Sequence, residues 1–171
     1  MARKAFYSFQ YQPDAWRASK VRNIGAIEGN QSVSDNDWES IKNGGSKKIE
    51  SWIHQQMAGK SCVIVLIGAQ TAGRPWINYE IVKGWNDGKG ILGIHINNLT
   101  DQFDKRSAKG ANPFTSIKVG GKPMSSLVQV YDPPYIISAQ VRNYIAANLE
   151  TWVETAIAAR NAPAAEKNKW W

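Results

Sequence analysis

The sequence predicts a doubly wound, flavodoxin-like α/β fold: a mainly parallel sheet of four or five strands flanked by helices. Three observations carry that expectation. The uninterrupted apolar run at Cys62–Ile67 has the composition of a strand covered on both faces, and another strand follows at 91–96. Around them lie stretches whose apolar residues recur at helical spacing. Strand and helix signals alternate along the chain, as parallel βαβ units require.

Taken in order, residues 4–9 form a short apolar and aromatic first strand. Asp14 is placed to cap a helix reaching about residue 24, with Trp16, Val21 and Ile24 toward the core. Residues 28–37 are polar and loop-like, with room for a short edge strand. Ser46 opens an amphipathic helix whose stripe is Ile49, Trp52, Ile53 and Met57, and Gly59 ends it. After strand Cys62–Ile67, Pro75 suits a first helical position, and the helix to about residue 86 buries Ile77, Ile81 and Trp85. Gly90 leads into the strand at 91–96. Residues 98–124, rich in Gly, Lys, Asp and Ser, read as a long excursion over the surface. A last short strand follows at 127–130. From 138 to about 160 a long helix carries Val141, Ile145, Leu149, Trp152 and Ile157 near helical spacing. The expected division is one domain over 1–161 and a tail over 162–171, whose Trp170 and Trp171 suit either a frayed end or a docked one.

Composition narrows the chemistry. With 171 residues, 43% of them hydrophobic, and eight Trp, the chain is long and apolar enough to pack a real core. A single cysteine, Cys62, excludes an internal disulfide and a cysteine-based zinc site, and two histidines argue against a His-based metal site. The formal charge of +7 is dispersed and lacks the basic and aromatic alternation of nucleic-acid readers. It suits attraction to an anionic small molecule, or simply a basic surface. No apolar run approaches the roughly 18 residues of a membrane span, and the N-terminus lacks a signal-peptide core. The expectation is a soluble, cytoplasmic chain that binds neither membrane nor nucleic acid.

Several motifs are decoys. The glycines of 88–93 match the dinucleotide fingerprint in letters, yet they leave a helix and enter a strand, the reverse of the phosphate-binding turn. Gly44-Gly45-Ser46-Lys47 lacks the spacing of a P-loop. His54 lies off its helix's apolar stripe and is expected in solvent. His95, near a strand's carboxyl end, is expected to be satisfied by a loop carbonyl. Glu80 is the sharper candidate. It sits on the helix after strand Cys62–Ile67, four residues from Trp76, at the sheet edge where open α/β folds bind ligands. Two readings stay open: a solvated glutamate paired with Lys83, or a carboxylate that supports an oxocarbenium-like transition state.

The run Val-Leu-Ile-Gly-x-x-Thr-Ala-x-Arg-x-Trp-Ile-x-Tyr-Glu-Ile at 65–81 resembles the TIR-like domain of bacterial Thoeris anti-phage systems. So do Phe6-Tyr7-Ser8-Phe9, Asp37-Trp38, the glycine-bounded strand at 90–94 and Asn112-Pro113-Phe114. The resemblance covers about residues 3–135. It implies a TIR-like fold and an enzyme that cleaves the nicotinamide–ribose bond of NAD+, with NAD+ as substrate and no further cofactor or metal. By motif the catalytic glutamate is Glu80, and Ser8, Phe9 and Asp37 match positions lining the nucleotide pocket. Trp76 or Phe9 would supply an apolar wall, although Trp76 also fits the core. The product implied is an ADP-ribose-derived signal, often cyclic, that activates a separate effector. Self-association stays open, and the alternative is a catalytically silent adaptor acting through protein contacts.

Overall fold

The computed structural model describes residues 3–29 and 40–162. Its elements are β1 (Ala5–Ser8), α1 (Tyr11–Arg22), α2 (Ser46–Met57), β2 (Cys62–Ile67), α3 (Pro75–Asn86) and β3 (Gly90–His95), then the small hairpin β4 (Lys118–Val119) and β5 (Lys122–Pro123). A 3-10 turn at Met124–Ser126, β6 (Gln129–Tyr131) and α4 (Ser138–Arg160) complete them. The main sheet has the order β1–β2–β3–β6, and every pairing in it is parallel. All residues of β2 and β3 are buried, which is why β2 is apolar throughout and β3 apolar up to His95 rather than alternating.

Alternation along the strands divides the core into two layers. Phe6, Val63, Val65, Ile67 and Ile91 face α2 and α3, where Ile49, Ile53, Met57, Ile77 and Ile81 meet them. Tyr7, Ile64, Leu66, Leu92 and Ile94 face α1 and α4, against Val21, Val141, Ile145 and Leu149. Beyond β1, Glu28 makes an isolated parallel bridge with Lys4. There the Ala5 N–H donates to the Glu28 carbonyl at 2.8 Å and the Glu28 N–H to the Arg3 carbonyl at 3.0 Å. The chain therefore leaves β1 toward one side of the sheet and leaves β2 toward the other. The gap between the carboxyl ends of β1 and β2 is a topological switch point, where a crevice opens. Residues 30–39, in which an edge strand was open, lie outside the described residues. Among those described, no helix is long and apolar enough to cross a membrane.

Helix α1 departs from the sequence expectation. It starts at Tyr11 behind Gln10, so Asp14 is not its cap but lies one turn inside and buried. Trp16, expected inside, is 50% exposed. The inward face carries Asp14, Arg17, Ala18 and Val21. Arg17 explains the rotation. Its guanidinium donates to the carbonyls of Leu99 (2.8 Å) and Lys105 (2.9 Å) and reaches Asp14 at 3.4 Å. A buried charge is tolerated when several acceptors satisfy it, and here those acceptors belong to the excursion after β3.

That excursion is only partly on the surface. Leu99, Phe114, Ile117 and Met124 are buried, and Phe114 sits against Gly93. A Cβ at Gly93 would come within 3.0 Å of the Phe114 ring, and one at Gly90 within 2.7 Å of the α4 backbone. Packing therefore accounts for two glycines of the fingerprint-like run. Gly110 crosses directly over Gly68, so the excursion covers the carboxyl end of β2.

Replacing Arg17 with Ala strands two carbonyls and the Asp14 carboxyl. Urea unfolding is expected to show a loss of about 3 kcal/mol or more. A loss below about 1 kcal/mol would mean that this residue does not clamp the excursion.

Candidate active site

The crevice at the switch point is a cleft of about 340 Å³, within the size range of ligand sites. Phe9, Gln10 and Tyr11, which follow β1, line one side, and the Phe9 and Tyr11 rings stack with centroids 6.2 Å apart. Ile49 and Ile53 of α2 come from another side. Arg74, Pro75, Trp76, Ile77 and Glu80 come from the start of α3. Lys42, in a helical turn at 40–43, adds a cation to the wall.

Local rules place these groups. Pro75 opens α3 at a position where its missing N–H costs nothing. The loop before it is cinched by Thr71, whose hydroxyl accepts from the Gly68 N–H at 2.9 Å. Gly68 lies so close to α1 that an added Cβ would sit 2.1 Å from a carboxylate oxygen of Asp14. Only glycine fits there. Ile77 and Ile81 anchor α3 on the sheet and turn Glu80 toward the end of β1.

Glu80 is 7% exposed and Ser8 1% exposed, and the Ser8 hydroxyl donates to Glu80 Oε1 at 2.7 Å. Among the described residues Ser8 is the hydrogen-bond partner of this carboxyl, and no cation pairs with it. Lys83, the neighbour considered from sequence, binds Asp87 instead at 2.7 Å. Burial pushes the Glu80 carboxyl up to about 8, while the Ser8 hydrogen bond works the other way by favouring the charged form. The site thus holds an acid, largely protonated at neutral pH, that a nearby positive charge would ionise.

The sequence-selected residues do not all meet. Glu80, Phe9 and Trp76 line the cleft, and Ser8 lies behind Glu80. Asp37 lies outside the described residues. Trp76 does both things left open for it: half-buried, it lines the cleft, packs on the α2–α3 core and meets Tyr79 edge-on with centroids 5.4 Å apart. Sequence reasoning passed over Arg74, Lys42 and Tyr11. The Arg-Pro start of α3, directly behind a ligand-edge loop, was the available signal for Arg74.

The histidines differ from expectation. His54 is exposed but not simply solvated, for its Nε2 lies 2.6 Å from the Tyr79 hydroxyl. His95 is not satisfied by a loop carbonyl. Its Nδ1 is buried with no hydrogen-bond partner among the described residues, and burial holds its pKa below the usual imidazole value. His95 pairs in register with Ile67 at the strand end and is buried there. A broader hollow of about 580 Å³ lies along α3 beside His54 and Lys83, but its acid, Asp87, is already paired.

Comparison with known proteins agrees with this architecture. Residues 6–101, more than half of the chain, match the family model described as Thoeris protein ThsB, TIR-like domain. The chain belongs to this ThsB TIR-like family. A Bacillus cereus (strain MSX-D12) member named "Putative cyclic ADP-D-ribose synthase ThsB1" is 37% identical over 119 residues. Those residues are 67% of this chain and 62% of that relative, so the chain spans under two thirds of the relative's length. The family match includes β1 from Phe6 on, β2 and α3, and hence both Ser8 and Glu80.

The buried acid has a consequence for stability. Folded Glu80 keeps its proton to about pH 8, whereas the unfolded chain releases it near 4.5, so this residue's contribution to stability falls as pH rises through that window. Glu80→Gln removes the titration. It is expected to exceed the parent in stability by about 2 kcal/mol or more at pH 8, and to match it near pH 4. Parallel urea-unfolding profiles from pH 4 to 8 would refute the burial of an ionisable acid here.

Proposed function

We propose that this protein cleaves NAD+ at the nicotinamide–ribose bond and converts the ADP-ribosyl moiety into a signal nucleotide, cyclic by preference, for a separate effector. One observation carries the reading: Glu80 is a buried carboxyl in an open cleft, without a cationic partner among the described residues, and walled by aromatic rings. A positively charged aromatic ring suits those walls, since Trp, Tyr and Phe faces attract cations. The name of the Bacillus cereus relative, a putative cyclic ADP-D-ribose synthase, supports a product of this class.

The chemistry follows from charge. As the C–N bond breaks, its electron pair leaves with nicotinamide and positive charge grows on the ribose. A carboxylate fixed beside that carbon lowers the barrier, and low-dielectric walls strengthen the effect. The ring's own positive charge favours the ionised form of Glu80, so substrate entry arms the acid by driving its proton off. The Ser8 hydrogen bond keeps one oxygen in place and leaves the other for ribose hydroxyls. Apolar walls from Phe9, Trp76, Ile49 and Ile77 limit water, which lets an internal nucleophile of the same molecule capture the ribosyl carbon.

The competing reading is a silent adaptor. A filled cleft, or a Glu80 locked in an ion pair, would favour it. The cleft is open and its acid is bonded only by a serine among the described residues, which favours the enzyme.

Two outcomes test the proposal. Glu80→Gln is expected to cut nicotinamide release from NAD+ at least about a hundredfold while circular dichroism stays unchanged; retained turnover would sink it. In the parent protein kcat/KM should rise with pH and level off near the Glu80 value of about 8. Ser8→Ala removes a donor that favours the carboxylate, so the inflection moves to higher pH. A pH profile that Ser8→Ala leaves in place would separate this serine from the acid's function.

A further inference from the structure

We propose that Arg74 is the diphosphate-binding residue of the cleft, gripping the anionic bridge of a dinucleotide while Glu80 meets the reacting ribose. The inference rests on the NAD+ reading of the same cleft and adds the group that recognises the substrate's phosphates.

Arg74 is held in place by a neighbouring glutamine. Its Nε donates to the Gln70 carbonyl at 3.0 Å and its Nη2 to Gln70 Oε1 at 3.0 Å. Both acceptors are neutral. Arg3, Arg17, Lys83 and Lys109 meet carboxylates, whereas Lys20, Lys89 and Arg160 share Arg74's neutral kind of acceptor, and of these four it is Arg74 that lines the cleft. Arg74 has no carboxylate partner among the described residues. Its guanidinium is therefore oriented without being neutralised. Two of its five N–H donors are used, and those left over keep the planar fork that matches a phosphate.

Arg74 and Glu80 line one cleft and are six residues apart at the start of one helix. At the helical rise they lie about 9 Å apart along the axis. This separation suits a nucleotide whose anomeric carbon meets the acid and whose 5′ phosphates extend toward the cleft entrance. With Glu80 protonated, Arg74 leaves its end of the described lining positive. An anionic bridge is drawn to that end, and the cationic ring to the aromatic and acidic end.

The test compares two substrates with the same scissile bond. NAD+ carries the diphosphate and nicotinamide riboside carries no phosphate. For Arg74→Ala, KM for NAD+ is expected to rise about tenfold or more, with kcat falling less than about threefold. Its kcat/KM for nicotinamide riboside should not follow that fall. Arg74→Lys should recover part of the loss, as a point charge without the fork. An unchanged KM for NAD+, or an equal fall for both substrates, would overturn the assignment; the latter marks a structural role. A binding arm needs no turnover: ADP-ribose titrated calorimetrically into Glu80→Gln protein, with and without Arg74→Ala. Tenfold weaker ADP-ribose binding on loss of Arg74, with no nicotinamide released by the parent protein carrying Glu80, would keep Arg74's role and discard the NAD+ cleavage. Normal cleavage by an Arg74→Ala enzyme of unaltered KM would do the reverse.

Discussion

The hydrogen bond from Ser8 to Glu80 joins the end of β1 to α3 across 72 residues of sequence, and the rest of the site is arranged around it. Glu80, only 7% exposed, has lost most of its hydration, so its charged form is costly unless something in the cleft answers it. One neutral donor is too little to hold the charge at rest and enough to fix one oxygen. The fold supplies the remainder as constraint. The parallel register of β1 on β2 sets the height of Ser8. Pro75, Ile77 and Ile81 set the angle of α3. The result is an acid poised between protonation states, rigidly placed, at the one point of the sheet where the chain connections diverge.

The excursion after β3 complements this arrangement. Gly110 covers the carboxyl end of β2, Phe114 fills the hollow above Gly93, and Arg17 ties residues 99 and 105 to α1. These contacts close the sheet edge over β2 and β3 while leaving the mouth between β1 and α3 open. Binding space in such a fold is defined as much by what covers the other strand ends as by the residues that line the cleft. Arg17 thus shapes the site from its far side, through backbone carbonyls and without lining the cleft.

Much of the fold was legible because it follows from repeating physics. The bounds of β2, α3 and α4 agree with expectation, since unbroken apolar runs and helical stripes encode burial directly. Helix α1 was misread for a reason of the same kind. Periodicity assigns polar residues to water, yet Asp14 and Arg17 face inward because backbone carbonyls far along the chain satisfy the guanidinium, and Trp16 is left outside. No local pattern announces that exchange. Part of the 98–124 segment was taken for surface because its polar composition masks four buried apolar residues, Leu99, Phe114, Ile117 and Met124. The placement of Glu80 at the ligand edge was readable from strand, loop and helix order. Its environment was not. A nearby Lys83 offered a partner at helical spacing, whereas the actual partner, Ser8, is close only after the sheet has formed.

The ionisation of Glu80 in the folded protein tests this account most directly. Carbon-13 labelling of the glutamate side chains, with the Glu80 carboxyl assigned by its disappearance in Glu80→Gln, gives its titration midpoint by NMR without reference to activity. The account predicts a midpoint near 8, moving higher in Ser8→Ala. A midpoint in the ordinary carboxylate range, unmoved by Ser8→Ala, would contradict it.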